Sequence, residues 1–284
     1  MRAERCIGEG RLAPVLLTGV AVILIGFVLV LPLLVVFTEA LADGLSPLLA
    51  RLADPDAQAA IGLSLFVVAI AVPLNTVFGL CAAWCLTRHR FWGRRALLAL
   101  VGLPFSVSPV VAGLVYVLLF GSSGWFAPVM ATLGLRVLFA VPGVVLATLF
   151  VTLPFVAAQL VPLMAAQGSA EEEAGLTLGA SGLQVFRLVT LPRIRWALLQ
   201  GVLLCTARAL GEFGAVSVVS GHIRGLTNTI PLQIEILYNQ YDTVASFGLS
   251  AVLALMAVMT MVGKSVLEWR QAVAVRRGEE AVLA

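Results

Sequence analysis

Of the 284 residues, 61% are apolar and only 12% are charged, with a formal net charge of +3 and a mean hydropathy of +1.05. Soluble domains run at about 25% charged residues, so this balance excludes an ordinary cytosolic enzyme, a disordered chain and a nucleic-acid-binding domain. The solvent for most of this surface is lipid.

A helix that crosses the hydrocarbon core needs about 20 apolar residues. Segments at 14–37, 61–86, 96–120, 139–163, 196–219 and 245–267 meet that test. They predict an all-α polytopic membrane domain over 1–284 with six transmembrane helices. The short alternating runs of barrel strands are absent. The first segment precedes Ala40-Leu41-Ala42, which has the form of a signal cleavage site. Its apolar run is longer than a signal h-region, so it reads as a retained helix. The following connector, 38–60, carries Glu39, Asp43, Asp54 and Asp56 and reads as a water-facing loop. Prolines recur in the spans at 32, 73, 104, 109, 142 and 154. Each removes a backbone donor, which fits ordinary kinking and also fits the widening of a pathway.

Basic residues set the orientation. Arg2, Arg5 and Arg11 precede the first span, Arg88, Arg90, Arg94 and Arg95 follow the second, and Arg187, Arg193 and Arg195 follow the fourth. Lys264, Arg270, Arg276 and Arg277 end the sixth, while the alternate loops carry only Arg51, Arg136 and Arg224. The positive-inside rule then predicts that both termini are cytoplasmic. Cys6, Cys81, Cys85 and Cys205 show no CxxC spacing, and His89 and His222 fall on opposite sides. No metal or redox centre is expected.

The fourth connection, 164–195, is long, cytoplasmic and patterned. Ser169-Ala170-Glu171-Glu172 has the form of a capping box, and Gly179 offers a left-handed end to the short helix that follows. A second box, Ser181-Gly182-Leu183-Gln184, starts another helix expected to stop by Pro192. Leu176, Leu178, Leu183, Phe186 and Leu188 add apolar surface to a loop that lipid does not cover. The pattern suits either a hairpin packed under its own spans or a helix that docks in a partner's groove.

Here the chain resembles a known family. Glu173-Ala174-Gly175, then Gly179, then Val189-Thr190-Leu191-Pro192 is similar to the EAA loop of ABC-importer permeases, with its spacing intact. Gly175 and Val189 depart from that family's alanine and isoleucine. Downstream, the run from Ala207 through Arg208, Gly211, Glu212 and Gly214 to Ala215 resembles the fifth span of sulfate and molybdate permeases. The stretches Val216 to Gly225 and Asn228 to Tyr241 are more similar to the sulfate/thiosulfate branch, in its W-type subunits.

The resemblance implies the MetI-like, type I architecture in a bacterial inner membrane. It implies that Glu173, Ala174, Gly175, Gly179, Leu191 and Pro192 couple the spans to an ATP-binding cassette subunit, which holds ATP and Mg. It also implies a second homologous permease subunit and a periplasmic sulfate/thiosulfate-binding protein as partners, with no cofactor on this chain. Molybdate or tungstate is the alternative cargo.

Arg208 and Glu212 are the ionisable pair within a span, at i, i+4 spacing. An intramembrane arginine is costly and faces the bundle interior or a cavity. The pair suits a structural lock, and it also suits an anion pathway or gate shared with Ser217. Gly263-Lys264-Ser265 echoes a phosphate-binding loop, but its first glycine position is Val258 and the context is an apolar helix. No nucleotide site is therefore expected on this chain. An intramembrane enzyme lacks its constellation, and an ion-coupled carrier would need more than Glu212.

Overall fold

The computed structural model describes residues 12–283, with side chains described over 15–270. Arg2, Arg5, Arg11 and Cys6, which enter the orientation and cysteine readings, lie outside the described residues.

Helix α1 (Leu12–Ile25) and helix α2 (Leu31–Ala40) are joined by a π-helical turn, Gly26–Val30. The wide turn stands just before Pro32, whose missing N–H a regular turn would leave as a gap. Together they make an apolar rod, Val15–Ala40, with none of its most apolar stretch buried inside the chain. The connector after it is not an open loop. It folds as α3 (Leu45–Leu52), which lies against the last helix through Leu48.

Helix α4 (Pro55–Arg88) is a 34-residue rod whose N-cap Asp54 accepts the Asp56 N–H at 2.8 Å. Pro55 opens it, where a missing donor costs nothing. After the turn at 89–93 come α5 (Arg94–Ser106) and α6 (Pro109–Phe120), which meet at 107°. The sequence predicts a span at 96–120 with ordinary kinks at its prolines; the structure corrects the kink to a full break between two helices. Pro109 holds Ser108 in an extended conformation, ψ 132°, because the residue before proline avoids the helical region.

Helix α7 (Ala127–Leu133) leads to α8 (Val141–Thr152) and α9 (Pro154–Gln167). The last two run on as one rod, Val141–Gln167, half buried over its most apolar stretch, and this rod is the centre of the bundle. Fully buried Val156 sits between two glycines. A Cβ on Gly79 of α4 would stand 2.7 Å from the Val156 Cβ, and one on Gly201 would stand 3.1 Å from its Cα. Small residues thus let three helix backbones close together, which is the packing that holds helices in lipid. Asn75 joins the same contact by donating to the Leu149 carbonyl at 3.1 Å and the Thr152 hydroxyl at 2.8 Å.

Helices α10 (Ala170–Thr177) and α11 (Gly182–Val185), with a second π turn at Phe186–Thr190, precede α12 (Leu191–Leu210). A second correction falls here. The helix begun at Ser181 does not stop by Pro192 but passes through the π turn into the fifth span, 29 residues from Gly182 to Leu210. The π turn lets the Leu191 N–H bond to the Phe186 carbonyl, which makes room for the proline ring one residue later. The third correction is at the other end. The predicted span 196–219 breaks after Leu210, and a separate α13 (Gly214–Ser220) follows, then α14 (Ile230–Asn239) and α15 (Thr243–Leu283).

Candidate functional site

Two regions collect the residues singled out in the sequence. The first is the hairpin of α10 and α11 at one end of the bundle. Gly179 carries φ +88° between the two helices, a conformation that glycine adopts without a Cβ penalty. The Ser181–Gln184 capping box forms, with the Ser181 N–H on the Gln184 side-chain oxygen at 2.7 Å and the Gln184 N–H on the Ser181 hydroxyl at 3.4 Å. Gly175 packs on α11, where an added Cβ would stand 3.3 Å from a Val185 methyl. Glu173 and Ala174 are exposed, as is the Leu191–Pro192 junction in part. Leu178 and Leu188 stand 88% and 74% exposed, and Leu176 and Leu183 are exposed beside them. Phe186 turns inward onto Trp84 of α4, edge to face at 5.6 Å.

The first capping box does not form, and its glutamate does something else. Glu172 turns into the bundle instead of reaching back to Ser169. Its carboxylate pairs with Arg88 at 2.6 Å, accepts a second Arg88 bond at 3.0 Å and accepts the Thr190 hydroxyl at 2.8 Å. Arg88 also donates to the Met164 carbonyl at 3.0 Å. Both charged side chains are 8% exposed. The hairpin is thereby tied at one point to the ends of α4 and α9 and to the π turn that opens α12. Ser169 bonds to Glu173 in place of Glu172. The sequence reading missed this node, since the Ser-x-x-Glu pattern suits a cap equally well and the arginine lies 84 residues away.

The second region is the break between α12 and α13. Arg208 and Glu212 do meet, at 2.6 Å. They do so across the end of a helix and not along one helical face. The Glu212 carboxylate also accepts the Ala215 N–H at 2.9 Å, so it holds the first turn of α13 while pairing with the last turn of α12. Glu212 is 1% exposed and Arg208 32% exposed, so the arginine side chain is partly open while its partner stays inside. Ser217 is half-buried and donates to the Gly214 carbonyl at 2.9 Å. Among the described residues it makes no bond to the pair.

The two breaks face each other. Gly214, which opens α13, lies against Pro109, which opens α6, with 3.1 Å between an added Cβ and the proline Cβ. One turn on, a Cβ at Gly113 would stand 2.8 Å from the Ala215 carbonyl oxygen. Exposed Ser106 and Ser108 flank the first break.

The family described as binding-protein-dependent transport system inner membrane component matches residues 75–277. The chain is 54% identical over 254 residues to the sulfate transport system permease protein CysW of Escherichia coli (strain K12), covering 89% of this chain and 87% of that one. It is 51% identical to the protein of the same name from Synechocystis sp. (strain ATCC 27184 / PCC 6803 / Kazusa), covering 90% and 92%. A bacterial alginate ABC transporter, crystallised in complex with an alginate pentasaccharide-bound periplasmic protein, has a chain of the same fold. Its TM-score is 0.70 at 18% identity, covering 90% of this chain and 92% of that one.

Proposed function

The chain belongs to the family of binding-protein-dependent transport system inner membrane components, and on that premise we propose that it is the membrane permease subunit of an ATP-driven sulfate importer. The observation that carries the cargo is the 54% identity to a sulfate transport system permease along nearly the whole of both chains. The chain sits in a bacterial inner membrane with both termini on the cytoplasmic side. Its hairpin docks on an ATP-binding cassette subunit, which binds ATP and Mg. A second homologous permease subunit completes the path, and a periplasmic sulfate/thiosulfate-binding protein delivers the anion.

Two features support this division of labour. The exposed leucines of α10 and the π turn give a soluble partner an apolar face at the bundle end, in the way a docked helix is usually received. Arg208, partly exposed and paired on its inner side with Glu212, puts a cation at a helix break where a dianion would meet it in poorly screened surroundings.

The test is reconstitution with the three kinds of partner in proteoliposomes, followed by uptake of radiolabelled sulfate. Uptake should require ATP on the hairpin side, and excess thiosulfate should compete. Uptake driven by an ion gradient without ATP would refute the importer. Strong competition by molybdate, with sulfate a poor substrate, would transfer the cargo to the molybdate/tungstate class.

A further inference from the structure

The turn between α4 and α5 has chemistry that neither the hairpin nor the helix breaks use. It bounds a cavity of about 530 Å³ at the bundle periphery. Leu86, Phe91, Leu98 and Val161 supply its apolar walls, and Arg94 and Arg95 stand at its rim. Trp92, also at the rim, is wholly exposed at 101%. Arg94 is held in place by donating to the Leu86 carbonyl at 2.7 Å. Arg90, Arg94 and Arg95 are exposed, and among the described residues none of them has a carboxylate within 4.0 Å. By contrast Arg88, one turn earlier, is consumed by Glu172.

Position narrows the occupant. The Arg88–Glu172 pair places this turn at the same end of the bundle as the hairpin, where α4 leaves its apolar stretch. Leu98 belongs to the cavity wall and also to the exposed apolar surface of α5, which continues through Leu100, Leu103 and Phe105. A molecule that fills the cavity thus meets arginines at one end and an exposed apolar helix face at the other. Tryptophan is enriched at this depth because its ring is apolar and its N–H polar. A free phosphate would use the arginines and leave the apolar walls bare. A soluble protein partner would not run down α5.

We propose that the Phe91–Arg95 turn binds the phosphate headgroup of an anionic phospholipid, with its acyl chains along α5. Each arginine near an anionic surface favours such a lipid by about fivefold. Arg90 and Arg95, whose side chains make no hydrogen bond or ion pair among the described residues, therefore enrich it over a zwitterionic lipid by at least about that factor.

The assembled transporter in nanodiscs tests this by fluorescence quenching. Brominated phosphatidylglycerol is titrated against brominated phosphatidylcholine, and the Trp92 signal is taken as the difference from a Trp92→Phe variant. Phosphatidylglycerol should reach half-quenching at about one-fifth of the mole fraction that phosphatidylcholine needs, or less. Arg90→Gln with Arg95→Gln should abolish that preference, and Arg90→Lys with Arg95→Lys should keep it, both in normally assembled complexes. Equal quenching by the two lipids would overturn the proposal, as would a preference that survives the glutamine pair. Loss of the preference on adding inorganic phosphate at constant ionic strength would assign the arginines to a free anion. A Trp92 that neither lipid quenches would assign the turn to a protein partner.

Discussion

Replacing Glu172 by alanine separates the hairpin's anchor from the exposed leucines proposed to dock, because Glu172 is buried and the leucines are not. The change leaves Arg88 without its partner at 8% exposure and leaves the Thr190 hydroxyl without its acceptor. Removing one member of a buried ion pair costs about 3–5 kcal/mol, since the remaining charge stays desolvated. The hairpin's own helices are short, eight and four residues, so the loss falls on local opening more than on the whole bundle. At a factor of ten for each 1.4 kcal/mol or so, the amides of α10 should exchange with solvent about two to three and a half powers of ten faster. Hydrogen exchange of the purified complex reads this directly, with α8 and α9 as internal controls. Arg88→Met combined with Glu172→Gln removes both charges and should recover most of the protection. About 1 kcal/mol stays lost with the bond to the Met164 carbonyl. Wild-type exchange in Glu172→Ala would refute the anchor, and so would a double variant as unprotected as the single.

Three further outcomes follow from the same geometry. Gly179→Asp meets no atom within 4 Å but must hold φ +88° at a cost of about 1–2 kcal/mol; sulfate uptake per assembled complex should fall while ATP hydrolysis persists, and normal uptake would remove this turn from coupling. Arg208→Met with Glu212→Gln keeps an acceptor for the Ala215 N–H and removes both charges, so the complex should assemble while uptake drops about tenfold or more, the size of a lost charge interaction of about 1.4 kcal/mol; full uptake would make the pair a scaffold. Gly113→Ala drives a methyl to 2.8 Å from the Ala215 carbonyl oxygen and 2.9 Å from the Val218 Cβ, and the overpacking should cost about 1–3 kcal/mol in the thermal stability of the complex, with no shift refuting the close contact of α6 and α13.

The apolar rods were legible in the sequence because their signal is compositional and needs no partner. The Ser181 box was legible for a similar reason, as both of its hydrogen bonds close within four residues. Glu172 was not. Ser169 and Glu172 have the spacing of a cap, yet burial beside Arg88 and Thr190 offers the carboxylate three charge-assisted bonds in place of one exposed backbone contact. That choice depends on residues far away in the chain. The break at Pro109 was carried by a local signal, since a proline after Ser-Val-Ser disfavours helix at Ser108. Reading the prolines as kinks within one span understated a turn of 107°.

The break at Gly211 was harder to see because an i, i+4 pair looks like evidence of helix continuity. Its consequence is the more informative one. The rod that carries Arg208 in its last turn starts at Gly182, inside the hairpin, and its 29 residues span about 43 Å at a helical rise of about 1.5 Å per residue. Hairpin and arginine are therefore two ends of one element, and displacement at the first is displacement at the second without a relay of side chains between them. At Gly211 that rigidity ends. Helix α13 is locked to α6 by Gly113 and Gly214, and α6 is itself freed from α5 by the break at Ser108. Glu212 touches both bodies, through Arg208 on the rod and the Ala215 N–H on the locked pair. A carboxylate buried at that joint keeps the end of α12 in register with α13 and leaves the Arg208 side chain partly exposed. Glu212 thus fixes the geometry of the break and holds Arg208 at its partly exposed edge.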